Sequence, residues 1–256
     1  MALSPVFRHG VRAAVCAAFL IVASAPVSAQ PPAAAPPPPP PGWAGSFGAG
    51  LALTQGNSDT STVNVAYEVK RDTGSPFVLK STGLYIRGES EGQLTTDRLA
   101  LEGRADRTLF DRTSVYGQVQ YLSDEFKEID YLVSPTVGLA HQLVKNERTE
   151  LGIDAGVGMV WEKNPGLARN TSGAVTAGQN FRFKLSETAE ITQRVSALWP
   201  MDEFADGLYI TGLGLAANVT AQTQLKAELL NTLKNRPPAD VKKNDVAILL
   251  SLVYKF

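Results

Sequence analysis

The chain reads as all-β: a transmembrane antiparallel β-barrel of about 12 strands, with short periplasmic turns and longer outer loops. Three observations predict it. From Trp43 to Phe256 hydrophobicity repeats every second residue, about twelve segments carry the repeat, and the connections between them alternate between short and long. Most segments run about 11 to 14 residues, against about 5–6 for strands of soluble proteins and about 9–11 for tilted strands that cross a bilayer. An even number of antiparallel strands with turns on one side and loops on the other is the pattern of a bacterial outer-membrane barrel.

Two segments precede the barrel. Arg8 and Arg12 form a short basic stretch before the apolar run Ala13 to Ala25, and Val27-Ser28-Ala29 follows. This is the pattern of a cleaved signal peptide over residues 1–29, exporting the chain towards the envelope of a Gram-negative cell. Cys16 falls inside that run, so the mature chain is expected to hold no cysteine. Residues 30–42 contain eight of the chain's 16 prolines; proline fixes φ and cannot join a ladder, so this stretch reads as a stiff polyproline II spacer.

Composition narrows the classes further. Lys and Arg number 24, Asp and Glu 25, and the formal charge is −1, which offers nucleic acid no electrostatic footprint. A mean hydropathy of −0.06 excludes a multi-span helical membrane protein. One Cys and two His exclude disulfide scaffolds and thiolate metal clusters.

The strands are expected at 43–54, 60–71, 76–88, 95–107, 113–123, 129–141, 149–161, 169–184, 188–200, 208–219, 222–234 and 245–256. The last is the clearest: Val246, Ile248, Leu250, Leu252, Tyr254 and Phe256 share one face. In the second, Val63, Val65, Tyr67 and Val69 alternate with Asn64, Ala66, Glu68 and Lys70. In the seventh, Ile153, Val157 and Met159 lie opposite Asp154 and Gly156. The third fits worst, because Val78, Leu84 and Ile86 fall on its polar face, so a bulge or a boundary error is expected there.

Period-two patterning alone also fits a soluble periplasmic barrel. Three features favour lipid on the apolar face. Trp43, Trp161 and Trp199 all fall at strand ends, with Tyr121, Tyr131 and Tyr254, as in two interfacial aromatic girdles. The opposite face carries Glu68, Arg98, Glu102, Arg104, Asp154, Arg182, Arg194, Lys226 and Glu228, a set that suits a wet or ion-paired lumen better than a dry core. The chain also ends in Tyr254-Lys255-Phe256 on an alternating strand. A terminal aromatic there resembles the assembly signal of outer-membrane barrels, with Tyr254 and Phe256 as its residues and the barrel-assembly machinery and outer-membrane lipids as the implied partners.

The stretches Gly42 to Val69, Gln120 to Leu143, Gly156 to Leu167, Thr171 to Phe181 and Pro237 to Phe256 resemble a domain-of-unknown-function family of outer-membrane barrels. Its members are often labelled salt-induced outer-membrane proteins. Gly56-Asn57-Ser58 and the closing Tyr-Lys-Phe carry most of the likeness. It implies an outer-membrane location and a link to salt stress, and brings no catalytic residue.

No catalytic site and no cofactor is expected. Outer-membrane lipid-modifying enzymes need a Ser–His pair in the outer leaflet; the one histidine after the leader, His141, falls at the periplasmic rim, so a nucleophile lacks its usual base. Asp202, Glu203 and Asp206 offer oxygen ligands without EF-hand spacing and read as solvated loop acids. The Gly48 to Gly50 and Gly156 to Gly158 pieces read as room-making, letting the barrel wall bend or a lumen side chain lie flat. What remains is the lumen. Eight cationic against six anionic inward residues, Lys70, Lys80, Asp106, Lys184 and Glu190 among them, suggest a narrow porin-like passive pore with weak anion preference. Twelve strands lie between filled eight-stranded barrels and open porins, so a closed structural barrel stays as the alternative.

Overall fold

A computed structural model describes residues 42–55, 60–90, 93–238 and 241–256. The expected signal peptide, the linker up to residue 41 and the Gly-Asn-Ser tripeptide at 56–58 lie outside the described residues.

Alternation makes each segment a strand with one apolar and one polar side, and such strands satisfy their edges within a bilayer only by closing into a ring. The twelve strands do close. They are β1 (Trp43–Gln55), β2 (Thr60–Asp72), β3 (Phe77–Ser90), β4 (Gln93–Phe110), β5 (Thr113–Asp124), β6 (Ile129–Lys145), β7 (Thr149–Lys163), β8 (Asn170–Lys184), β9 (Ala189–Pro200), β10 (Leu208–Asn218), β11 (Thr223–Lys234) and β12 (Asn244–Lys255). Each pairs antiparallel with its sequence neighbours, and β1 meets β12 from Ser46↔Lys255 to Gln55↔Val246. The terminal residue joins the seam, its N–H and carbonyl both bonded to Gly45 at 3.0 Å.

The strands begin and end within a few residues of their expected bounds. β4 and β6 run on at their periplasmic ends, to Phe110 and Lys145, and β3 and β4 continue at the outer end until only 91–92 separate them. The longer outer connections are 164–169, 201–207 and 235–243.

β3 carries a correction. Its pairing with β2 is unbroken from Ser61↔Glu89 to Asp72↔Val78, and the only shift against β4 is at Gly88/Glu89, beyond the suspect stretch. No mid-strand bulge exists, so Leu84 and Ile86 do point inward. Ile86, 2% exposed, packs with Leu230 and Leu249. The interior is therefore not polar throughout.

The outward face forms an exposed apolar band. Val63 and Val65 on β2, Val119 on β5, Val137 and Leu139 on β6, Val157 and Met159 on β7, Leu213 and Leu215 on β10, and Leu250 and Leu252 on β12 all present open side chains. A monomer in water rarely shows so continuous an apolar surface; acyl chains are its natural cover.

Candidate functional site: the barrel interior

The nine residues expected to line the lumen all occupy inward positions, but they fall into two environments. Towards the periplasm the charges pair with near neighbours on the wall. Lys226 meets Glu228 two residues along β11 at 2.6 Å, Lys80 meets Asp106 on the next strand at 3.2 Å, and Arg182 pairs with Glu150 and Glu190 on either side. Gln120 donates its amide to Glu102 at 3.2 Å. Glu68 and Arg194 are exposed to the interior.

Arg104 is the most engaged of this group. Its Nε donates to Asp106 at 3.0 Å, one terminal nitrogen reaches Gln118 at 3.2 Å and Asp154 at 3.6 Å, and the guanidinium lies 3.8 Å from the centre of the Tyr116 ring. Tyr116 is itself 2% exposed, because β6 and β7 offer it Gly138 and Gly156 in register. A Cβ on Gly138 would come within 2.7 Å of the tyrosine ring carbon Cζ, and one on Gly156 within 2.6 Å of its hydroxyl. Gly138 and Gly156 thus make the floor on which the Tyr116 side chain lies flat.

Towards the outside the contacts cross the barrel. Arg98 on β4 binds Asp124 on β5 at 3.0 Å and also donates to Thr232 on β11 at 2.7 Å. β4 and β11 face each other across the ring, with β3, β2, β1 and β12 between them on the shorter side. Lys234 on β11 pairs with Glu162 on β7 and lies 3.8 Å from Asp206 in the β9–β10 loop. Apolar side chains fill the space between. Leu122, Ile129, Leu132, Val160, Ala174, Leu198 and Leu208, drawn from six successive strands, form one cluster, and Ile210 joins it to the Ile86–Leu230–Leu249 group.

Several of these residues escaped the sequence reading. Asp124 and Lys127 sit in what reads as a solvated polar connection, and Glu162, Lys234 and Asp245 stand at strand ends. For the strand residues the signal is the run of apolar residues on the nominally polar face, Leu84, Ile86, Leu230 and Leu249, which marks a filled stretch of lumen; Lys127 has none.

The loop acids are engaged by cations and amides. Glu203 pairs with Arg236, Asp206 accepts the Arg236 N–H at 3.2 Å, and Asp202 accepts from Asn170 at 3.3 Å. Burial pushes the Asp206 carboxyl above the usual carboxylate range, with Lys234 opposing, while the Ser172 hydroxyl and then Asn170 hold Asp202 below it. His141 lies exposed on the outward face, its Nδ1 2.9 Å from the Thr113 hydroxyl. No group of three metal-ligating side chains occurs among the described residues.

The aromatic residues divide between the two rims. Trp199 donates its indole N–H to the Tyr209 hydroxyl at 2.8 Å at the outer end, where Trp161, Tyr121 and Tyr131 also stand. At the turn end Trp43, Phe77 and Phe183 lie under Arg71, Arg107 and Arg148, at 5.6, 5.4 and 5.5 Å, and Tyr254 is half exposed.

A closed antiparallel ring with a greasy outside and an ionic, partly filled inside defines an outer-membrane β-barrel. Solved structures of that class share its fold. The NanC porin superposes with a TM-score of 0.57 at 8% identity, covering 82% of this chain and 100% of that one. The translocator domain of the autotransporter NalP from Neisseria meningitidis gives 0.51 at 11%, covering 84% and 88%. An outer membrane channel of the COG4313 group from Pseudomonas putida F1 gives 0.50 at 14%, covering 85% and 96%. No curated protein matches the chain. The chain belongs to the family described as "Protein of unknown function, DUF481", whose model matches residues 47–256.

Proposed function

We propose that this protein is a narrow, non-enzymatic outer-membrane channel for ions and small polar solutes, described here in a conformation whose outer half is closed. The observation that carries the reading is the arrangement of charge in the periplasmic half. Apart from Arg104–Asp154, its ion pairs run along the wall between adjacent positions, with side chains such as Lys226 and Glu228 still 35% and 27% exposed. Charges placed so line a wet cavity and leave its axis clear. The names of two structural neighbours, a porin and an outer membrane channel, agree with it.

Reconstitution of the folded protein in planar bilayers under a salt gradient tests the reading. Discrete conductance steps are expected; folded protein that gives none overturns it. A closed structural barrel is the second reading, favoured by the apolar filling and by the Arg98–Thr232 contact across the interior. The same recording separates the two.

The remaining parts of the proposal have their own tests. Export through a cleaved leader predicts that the mature protein starts at Gln30, read by N-terminal sequencing. Recognition by the barrel-assembly machinery through Tyr254 and Phe256 predicts that removing Phe256 lowers the folded fraction in cells. The link to salt or envelope stress rests on the family likeness, and predicts slower growth of a deletion strain at high salt.

A further inference from the structure

We propose that the segment Glu125–Ile129 is a plug that holds the outer mouth closed, bolted to the opposite wall by Lys127. The inference builds on the channel reading and adds to it the part that moves.

The placement of Lys127 carries it. Its side chain is fully buried, and its ammonium donates to the carbonyls of Lys242 at 2.9 Å and Lys243 at 3.0 Å while pairing with the Asp245 carboxylate at 2.9 Å. These three contacts use all three of its donors. They also span the barrel. Four strands separate the β5–β6 connection from the β11–β12 connection in either direction round the ring, so the contacts join opposite sides of the mouth.

The chain is bent to make this reach. A short 3-10 turn covers Glu125–Lys127, the Lys127 N–H donates to the Asp124 carboxylate at 3.3 Å, and Glu128 takes a φ of 50°. That is the left-handed region, and Glu128 is the only residue other than glycine to adopt it among the described residues. A non-glycine residue persists there only where its surroundings over-determine it. The bend sends Lys127 inward and buries Ile129, 1% exposed, in the apolar cluster.

The choice of side chain argues for a releasable contact. Leucine would seal the mouth as its neighbours Leu122 and Leu132 do, without desolvating an ammonium. A lysine that reaches main-chain carbonyls and one carboxylate holds the closed arrangement only while all three partners are in place. Removing it breaks all three contacts of the closed state and penalises that state alone, so the equilibrium moves to open.

The test uses the refolded chain without its leader in planar bilayers, each variant first checked for a heat-modifiable folded band on gels. Lys127→Met is expected to raise time-averaged current about tenfold or more. Replacing 125–128 by Gly-Ser-Gly-Ser should do the same. Lys243→Ala, which keeps the carbonyl, should stay at the wild-type level. If Lys127→Met does not fold, Asp245→Asn removes the same ion pair from the other side. Should the wild type conduct and the folded plug variants carry no more current than it does, the plug is wrong and the channel reading survives. Silence from wild type and every folded variant alike overturns both.

Discussion

The two halves of the interior hold similar residue types and use them differently. In the periplasmic half, most ion pairs join residues two apart on one strand or neighbours on adjacent strands, as with Lys226–Glu228 and Arg182–Glu150; Arg104–Asp154, which passes over β5 and β6, is the exception. In the outer half the contacts also join strands that are not neighbours: Arg98 donates a hydrogen bond to Thr232, Lys127 pairs with Asp245 and Lys234 pairs with Glu162. Burial is deepest where a contact crosses between distant strands: Lys127 and Lys234 are under 5% exposed, whereas both side chains of the Lys70–Asp72 pair are over 40%. A lumen charge therefore has no fixed meaning. At the rim it keeps its water and leaves the axis open; reaching across the interior it gives up water and ties the barrel shut. Wall pairs span the range between, since Arg104 and Asp106 on β4 are each only 11% exposed.

The largest expected difference between the halves is in stability. Arg98→Met takes the guanidinium from the buried Asp124 carboxylate and should destabilise the folded barrel by about 3–5 kcal/mol. Lys226→Met, at a pair that keeps its water, should cost about 1 kcal/mol or less. Urea unfolding in lipid vesicles measures both, and equal losses would erase the distinction between buried and wet pairs.

Tyr116 tests where the halves meet. Its ring covers Gly138 and Gly156 and carries the Arg104 guanidinium. Tyr116→Ala should cost about 3 kcal/mol, since nothing else can cover that strip, whereas Tyr116→Phe keeps the ring and should cost about 1 kcal/mol or less. Thermal unfolding of the two variants side by side checks this.

Ion selectivity sharpens the periplasmic side. Arg104 is offset by Asp106 and Asp154, while Arg194 is exposed to the interior and makes no ion pair among the described residues. Arg194→Glu should shift the reversal potential in a salt gradient towards cation preference more than Arg104→Glu does. The opposite order would mean that compensated charge still sets the field.

How much of this could be read from residues follows from the same comparison. Periodicity reports which face a side chain occupies, and that suffices for twelve strands and for the inward placement of Glu68, Arg98, Arg104 or Lys226. It says nothing of what lies opposite. Whether Arg98 finds Thr232 depends on register around the ring and on two strands 134 residues apart in the chain. The filled half did leave a trace, because Leu84 and Ile86 broke the alternation on β3. Taken as a pattern error they suggested a bulge; taken with Leu230 and Leu249 they mark a contact across the lumen. Lys127 left none, since a lysine in a polar connection looks the same whether it points to water or into the mouth.

The smallest effect concerns Asp206, which belongs to the outer network through Lys234 and the Arg236 N–H. Burial raises its carboxyl above the ordinary range, so the folded protein binds this proton more tightly than the unfolded chain does. By linkage its contribution to stability is least favourable when the pH is above the folded-state value, and grows as the pH falls through that value towards the ordinary carboxylate range near about 4. Asp206→Asn removes the titration. The difference in unfolding free energy, wild type minus variant, should therefore rise on acidification across that window and level off below it. Asp202, held below the usual range by Ser172 and Asn170, should show the reverse slope in the Asp202→Asn comparison. Two acids four residues apart in one loop with opposite slopes would show that the buried, cross-barrel network extends to Asp206 and stops short of Asp202. Matching slopes would mean that the loop is uniformly solvated and that the closed half ends at the strands.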